Sequence, residues 1–365
     1  MDKRLDNRLP GISPPAWPVI LSRISEIDEL KGWWKGRFEP PPFYLGSLRR
    51  KTIALSAKAS AGIGWIGLPR GAEGLAPSPG PSRAEELRRA SWARYAHILK
   101  AIFDGHVKMH LTRETVLGIH DGLFKHSSVE QAQGGAYRSL PDRAAFTHRR
   151  TAESIALRPA APESIGAMMD ALISWTNSRL DSGASHPLLV IAGFVLEFLA
   201  IRPFTAGNGR TSRLLTDLLL LRCGYGYLPY ASLEKVISER NASYYLALRK
   251  SQASLHLPRP DMGPWFLAFL DAMRAHAREL KGNLASLPPG RKLSGNQEGV
   301  LALFERHREV TNRLAAGELG LPRETAKQVL NRLVSLNLIE RVGAGRAVRY
   351  RRAEPGVPLQ LRSAK

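Results

Sequence analysis

Residues 187–201, PLLVIAGFVLEFLAI, carry one charged side chain in fifteen positions. A helix apolar on every face has to be wrapped by other elements. This run is too short to span a bilayer and contains Glu197. It therefore reads as the central buried helix of a helical domain. The chain then runs directly into RPFTAGNGRTSR (202–213). Gly207 and Gly209 permit backbone angles that other residues resist. Successive N–H groups in such a turn converge as an anion nest at the start of the next helix. Arg210 and Arg213, three apart, share a face there and suit phosphate oxygens. The same spacing also fits a plain Gly-rich helix connection with two solvated arginines. The stretch holds no His, Asp or Glu.

The chain has 365 residues, enough for two or three domains, with a formal net charge of +21. Such an excess favours acidic partners such as nucleotides or nucleic acid, although an Arg-rich genome produces the same balance. One cysteine, Cys223, excludes an intrachain disulfide. The start, MDKRLDNRLPGISPP, is basic without an apolar segment and so is not a signal peptide. The expected location is the cytoplasm, with no membrane partner.

Helical periodicity places helices at 21–34, 44–60, 84–104, from an N-cap at Thr112 to about 126, and at 162–181. Further helices are expected at 209–223, 232–256 and 263–284, with a short hairpin within 134–158. The expected division is an N-terminal helical extension (1–83), a core domain (84–284), a linker (285–296), a separate small domain (297–352) and a tail (353–365).

The turn and its surroundings resemble the Fic family of protein AMP-transferases, whose core motif is HPFx(D/E)GNGRxxR. PFTAGNGRTSR matches it closely, GGAYRSL is similar to the family's substrate-aligning flap, and the likeness covers roughly residues 85–285. The resemblance implies an all-α Fic-type helical core with a small β-hairpin flap. It implies nucleotide contacts from Gly207, Asn208, Gly209, Arg210 and Arg213, and flap residues Tyr137 and Arg138. Two departures bear on chemistry. Arg202 stands where the family has its histidine base, and arginine stays protonated at any usable pH. Ala206 stands where the family has the acidic residue that holds Mg²⁺ on ATP, and a methyl group binds no metal. Upstream, the family's inhibitory pattern (S/T)xxxE(G/N) aligns with SAGIGW, putting Ser60 at its start and Gly64 in place of the glutamate. Asp217, four residues beyond Arg213, reads as a solvated helical ion pair. His148 and His186 read as exposed or capping histidines, and Glu197 as lying more than a turn from Arg202.

Within the C-terminal segment, NQEGVLALFERHREV (296–310) reads as an amphipathic helix, RLAAGELGL as a short helix and turn, and PRETAKQVLNRLVSLNL as a helix starting at Pro322. A basic hairpin around Gly343–Gly345 completes the pattern, which resembles bacterial winged helix-turn-helix domains, an α+β layout. Residues 291–365 carry fifteen basic and seven acidic side chains. Arg323, Thr325, Lys327, Gln328 and Arg332 are the expected DNA contacts on the second helix, with Arg346 and Arg349 on the hairpin. Winged helices also serve as protein-interaction modules.

The sequence thus points to a Fic-fold protein that keeps a phosphate cradle, binds ATP or another nucleotide without Mg²⁺, and contacts DNA. An active AMP-transferase acting on a Ser, Thr or Tyr of a target protein is the second reading. A scaffold that binds no nucleotide is the third.

Overall fold

The computed structural model describes residues 16–36, 42–63, 83–125, 134–141, 145–147, 154–156, 159–257, 260–285, 293–304, 306–336, 338–343, 345 and 348–352. Contacts divide the chain into two compact units, residues 1–38 with 49–280, and residues 39–48 with 281–365. No helix among the described residues is long and apolar enough to cross a membrane.

The first unit is helical. Its elements are α1 (Trp17–Gly36), α2 (Pro42–Gly62, from residue 49 onward), α3 (Arg83–Gly105), α4 (Arg113–Phe124), the antiparallel pair β1 (Ala145–Thr147) and β2 (Ser154–Ala156), α5 (Ile165–Ser182), α6 (Pro187–Ile201), α7 (Asn208–Arg222), α8 (Leu233–Glu239), α9 (Asn241–Ser254) and α10 (Gly263–Ala285, as far as residue 280). The apolar run forms α6 as expected, buried continuously from Leu188 to Phe198. It packs between α5 and α7, and Trp265 of α10 donates its indole N–H to the Ala192 carbonyl at 2.7 Å. The start of α6 is fixed by His186, whose Nδ1 accepts from the Leu188 N–H while Nε2 meets Asp28 at 2.8 Å. Pro187 takes the first helical position, where its missing N–H costs nothing.

Thr112 caps α4, accepting from the Thr115 N–H at 3.2 Å. In α1, Ile20, Ile24, Ile27 and Leu30 form the buried face, so the helix begins before the expected residue 21. The expected single helix over 232–256 is two. The Arg240 N–H takes the Ile237 carbonyl three residues back, and the axis restarts at Asn241.

The second unit contains α11 (Gly295–Leu303), α12 (Asn312–Leu319), α13 (Arg323–Ser335) and the antiparallel strands β3 (Ile339–Val342) and β4 (Arg349–Arg352). Ser294 and Gln297 close a capping box on α11. That helix stops well short of the expected residue 310, because Val310 is drawn out to pair with Tyr350 through two backbone hydrogen bonds of 2.8 and 2.9 Å. Pro322 is the residue before the first turn of α13 rather than its first helical residue; its ψ of 142° is extended. Val300, Leu301, Val310, Leu330, Leu333, Ile339 and Tyr350 make this unit's core.

Candidate functional site

Residues 202–207 join α6 to α7, and their geometry is set by two buried polar side chains. Arg202 ends α6 at φ 50°, the one non-glycine at positive φ among the described residues. Arg138 holds it there. This guanidinium, 5% exposed, donates from Nε to the Arg202 carbonyl (2.8 Å) and from Nη1 to Leu140 (2.9 Å), and Nη2 reaches the Ala160 carbonyl. The Arg138 backbone N–H adds a bond to the Pro203 carbonyl at 2.9 Å. Asn208 folds back on the turn, accepting from the Phe204 N–H at 3.0 Å and donating to the Phe204 carbonyl at 2.6 Å. Its side chain is thus occupied inside the loop, leaving the backbone N–H for a ligand.

Gly207 precedes α7 at φ 79°, and an added Cβ would lie 2.7 Å from the Phe124 ring. Only glycine fits both the angle and the approach. The first helical bond of α7 runs from Thr211 N–H to Gly207 O, and no side chain caps the helix. The N–H groups of Asn208, Gly209 and Arg210 therefore precede the helical ladder at the positive end of its dipole. That arrangement fits an anion.

Arg210 and Arg213 diverge from this end. Arg210 donates to the Ser91 hydroxyl on α3 at 2.8 Å, with its guanidinium 5.0 Å above the Phe124 ring. Arg213 is buried beside Gly209 and reaches the end of α2. It donates to the Ser60 hydroxyl at 2.9 Å and to the Ser60 carbonyl at 3.0 Å. Ser60 is thus the partner of Arg213; Gly64 and His148 lie outside the described residues. Tyr137 packs against Phe204, and burial pushes its phenol up to about 12.

His120 of α4 is a site residue that motif and spacing do not single out. It stacks on Phe204 with ring centroids 3.6 Å apart, its Nε2 lies 3.1 Å from the Ala206 carbonyl, and its Nδ1 accepts from the Gly135 N–H. Burial lowers its pKa to about 4, so it is neutral with the proton on Nε2. Both nitrogens are engaged by backbone, and it has no lone pair to offer a substrate. The available signal is a histidine on the same helical face as Val116, Ile119 and Leu123.

Asp217 is not a solvated partner of Arg213. It is 2% exposed and faces Glu234 of α8, itself bonded by the Tyr95 hydroxyl at 2.7 Å. A cavity of about 20 Å³, room for one water, adjoins Asp217, Glu234 and Arg213. The residues α7 presents at this depth are wrapped by α3 and α6, which local sequence does not reveal. Asp217 Oδ2 has no hydrogen-bond partner among the described residues, and a proton there would let it donate to Glu234. Burial first, then the Glu234 charge and that hydrogen bond, raise the Asp217 pKa well above the carboxylate range, with Arg213 pulling the other way. The folded chain therefore holds a proton that the unfolded chain releases, and stability falls as pH rises from the ordinary carboxylate range through the raised pKa. Asp217→Asn supplies the same hydrogen bond without a charge. It is expected to flatten the melting temperature against pH and to stabilise by about 1–3 kcal/mol near pH 8. Parallel wild-type and variant melting curves across pH would rule out a protonated Asp217.

Glu197 is buried on α6, and His186 is the capping residue already described.

The chain matches the Fic/DOC family over residues 110–220. It is 31% identical over 118 residues to the protein adenylyltransferase Fic of Drosophila mojavensis, covering 32% of this chain and 21% of that one. The Aedes aegypti protein of the same name is 32% identical over 115 residues, covering 32% and 20%. The chain thus spans about a fifth of the length of the curated relatives it matches. In fold, it is similar to a Fic family protein from Desulfovibrio desulfuricans G20, with TM-score 0.57, 22% identity and coverage of 95% and 98%. It is also similar to Fic-1 (134–508) from C. elegans, with TM-score 0.56, 18% identity and 75% coverage of each chain. The match over residues 110–220, which span α6, the GNGR turn and α7, marks a Fic/DOC domain in that part of the chain, and the fold is that of the Fic structures.

Proposed function

We propose that this protein binds a nucleotide through the α6–α7 turn but transfers AMP poorly or not at all, and acts as a DNA-associated regulator. The observation that carries the reading is the uncapped start of α7 behind Gly207, with Arg202 and Ala206 beside it where the family places a base and a metal ligand. The N–H groups of residues 208–210 and the Arg210 guanidinium suit polyphosphate oxygens. Bound ATP would supply the leaving group and the AMP moiety. The missing part is an acceptor for the proton of an attacking hydroxyl. Arg202 is a donor only, and His120 has both nitrogens engaged. A methyl group at 206 does not fit Mg²⁺, so no step is assigned to the metal.

Titration calorimetry with ATP tests this. The expected Kd is the same with MgCl₂ and with EDTA, and Arg210→Ala weakens binding at least about tenfold through the loss of charge-assisted hydrogen bonds. Binding that requires Mg²⁺ would mean that a metal ligand exists elsewhere.

The order of α12, α13 and the β3–β4 hairpin in the second unit supports reading it as a winged helix-turn-helix, and with it the DNA-associated part of the proposal. On α13, Arg323, Lys327, Gln328 and Arg332 are exposed and Thr325 is half-buried, while Ala326, Val329, Leu330 and Leu333 face inward. On the wing, Arg349 and Arg351 both pair with Glu309, the Arg349 contact at 2.8 Å, which reduces the wing's attraction for phosphate. Arg346 lies outside the described residues. The reading therefore assigns the groove to α13. An Arg323→Ala, Lys327→Ala variant is expected to lower the slope of log affinity for duplex DNA against log salt by about 2. An unchanged slope would point to a protein-interaction role for this unit.

A further inference from the structure

Away from the α6–α7 turn, the first turn of α9 and one side of α10 enclose a solvent-open groove of about 490 Å³. That size is usual for a small-molecule site. Its lining includes the apolar Pro264, Leu267 and Ala268 and the basic Arg240, Arg274 and Arg278. The acid on its wall, Asp271, is already matched. It accepts from Arg23 at 2.7 and 3.0 Å and lies 3.1 Å from Arg274. Arg274 and Arg278 share one further carboxylate, Glu26, at 3.3 and 3.2 Å. Arg240 lies 4.0 Å from Glu239 and donates from Nη1 to the Val236 carbonyl at 3.4 Å; its side chain is 45% exposed, and that of Arg278 is 65% exposed. Three arginines thus line a groove whose nearby acids are shared or at the limit of contact. Two of the three are open to solvent at its mouth.

We propose that this groove is a second ligand site, taking a small phosphorylated molecule with an apolar or aromatic body. Arg240 and Arg278 hold the phosphate and Arg274, fixed by Asp271 and Glu26, sets the rim. The body lies on Pro264, Leu267 and Ala268. Planar forked guanidiniums favour phosphate over a diffuse surface charge. The back wall includes Tyr244, which also lines the small cavity beside Arg213. The site is separate from the α7 cradle and does not depend on the cradle's function.

The test is calorimetric titration of the full chain with phenyl phosphate and, separately, inorganic phosphate. The wild type is expected to bind phenyl phosphate more tightly than inorganic phosphate. The Arg240→Ala, Arg278→Ala variant is expected to lose at least about tenfold in phenyl phosphate affinity, the equivalent of about 1.4 kcal/mol. Arg210→Ala, which disables the cradle, is expected to leave it unchanged. Both substitutions at the groove remove exposed side chains, and circular dichroism verifies that the fold persists. No binding by the wild type overturns the proposal, as does equal affinity for the two probes. Loss in Arg210→Ala with retention in the groove variant also overturns it, because the phosphate then sits on the cradle alone. Binding of an acidic peptide that displaces phenyl phosphate and outcompetes it would make the groove a protein-docking site and overturn the small-molecule assignment.

Discussion

An Arg202→His, Ala206→Asp double variant is expected to transfer labelled AMP from ATP to lysate proteins at least about 100-fold faster than the wild type, as a general base contributes roughly 10²–10⁴ once the rest of the site is in place. The local structure is ready for both changes. Position 202 lies at φ 50°, a region that histidine enters more readily than most residues. Arg138 fixes the carbonyls of residues 202 and 160, backbone contacts that do not depend on which side chain stands at 202. Ala206 is exposed and its contact with His120 is through the carbonyl, so a carboxylate at its Cβ displaces nothing. Each single variant should stay near the wild-type rate, because a base without a metal ligand, or the reverse, leaves one missing element in place. Labelling by the wild type at the double-variant rate would favour the active-transferase reading. Silence of the double variant despite measurable ATP binding would show that the cradle does not hold the phosphates in a reactive geometry.

Legibility in the sequence depends on whether a feature is local. The burial of α6 follows from its own composition, and the turn from Gly207, whose role is a backbone one, and from Asn208, whose side chain bonds within the loop. The hairpin β1–β2 and the cap at Thr112 are likewise local patterns. Asp217 is the opposite case. A carboxylate four residues after an arginine looks like a surface pair, and its burial depends on Glu234 and Tyr95, which arrive from α8 and α3. His120 is silent in the sequence because its partners are backbone atoms of Gly135 and Ala206, brought in by the loops. The break at Arg240 carries no proline or glycine as a marker. Even the cradle's asymmetry, with Arg210 drawn to Ser91 and Arg213 to Ser60, is tertiary: helical spacing puts both on one face and does not show that different neighbours claim them.

Arg138→Ala is expected to destabilise the first unit by about 3–5 kcal/mol, the scale for removing one member of a buried charge-assisted network. The residue is 5% exposed and its guanidinium satisfies the carbonyls of Arg202, Leu140 and Ala160 from three separate segments. Without it, those part-buried acceptors lose their donor, and each one that water does not reach costs about 1–3 kcal/mol. The cavity left by the side chain admits water, which offsets part of the loss. Positive φ at Arg202 is itself unfavourable by about 1–2 kcal/mol, so that strain has less holding it once the clamp is gone. Two measurements should therefore move together in the variant: a lower urea midpoint with an unchanged m-value, and weaker ATP binding, because the turn that aims the 208–210 N–H groups relaxes. Arg138→Lys should recover little of either, since one ammonium cannot reach three carbonyls with a planar fork's geometry. A variant that keeps full stability while losing ATP affinity would instead make Arg138 a direct ligand contact, and the clamp argument would fall.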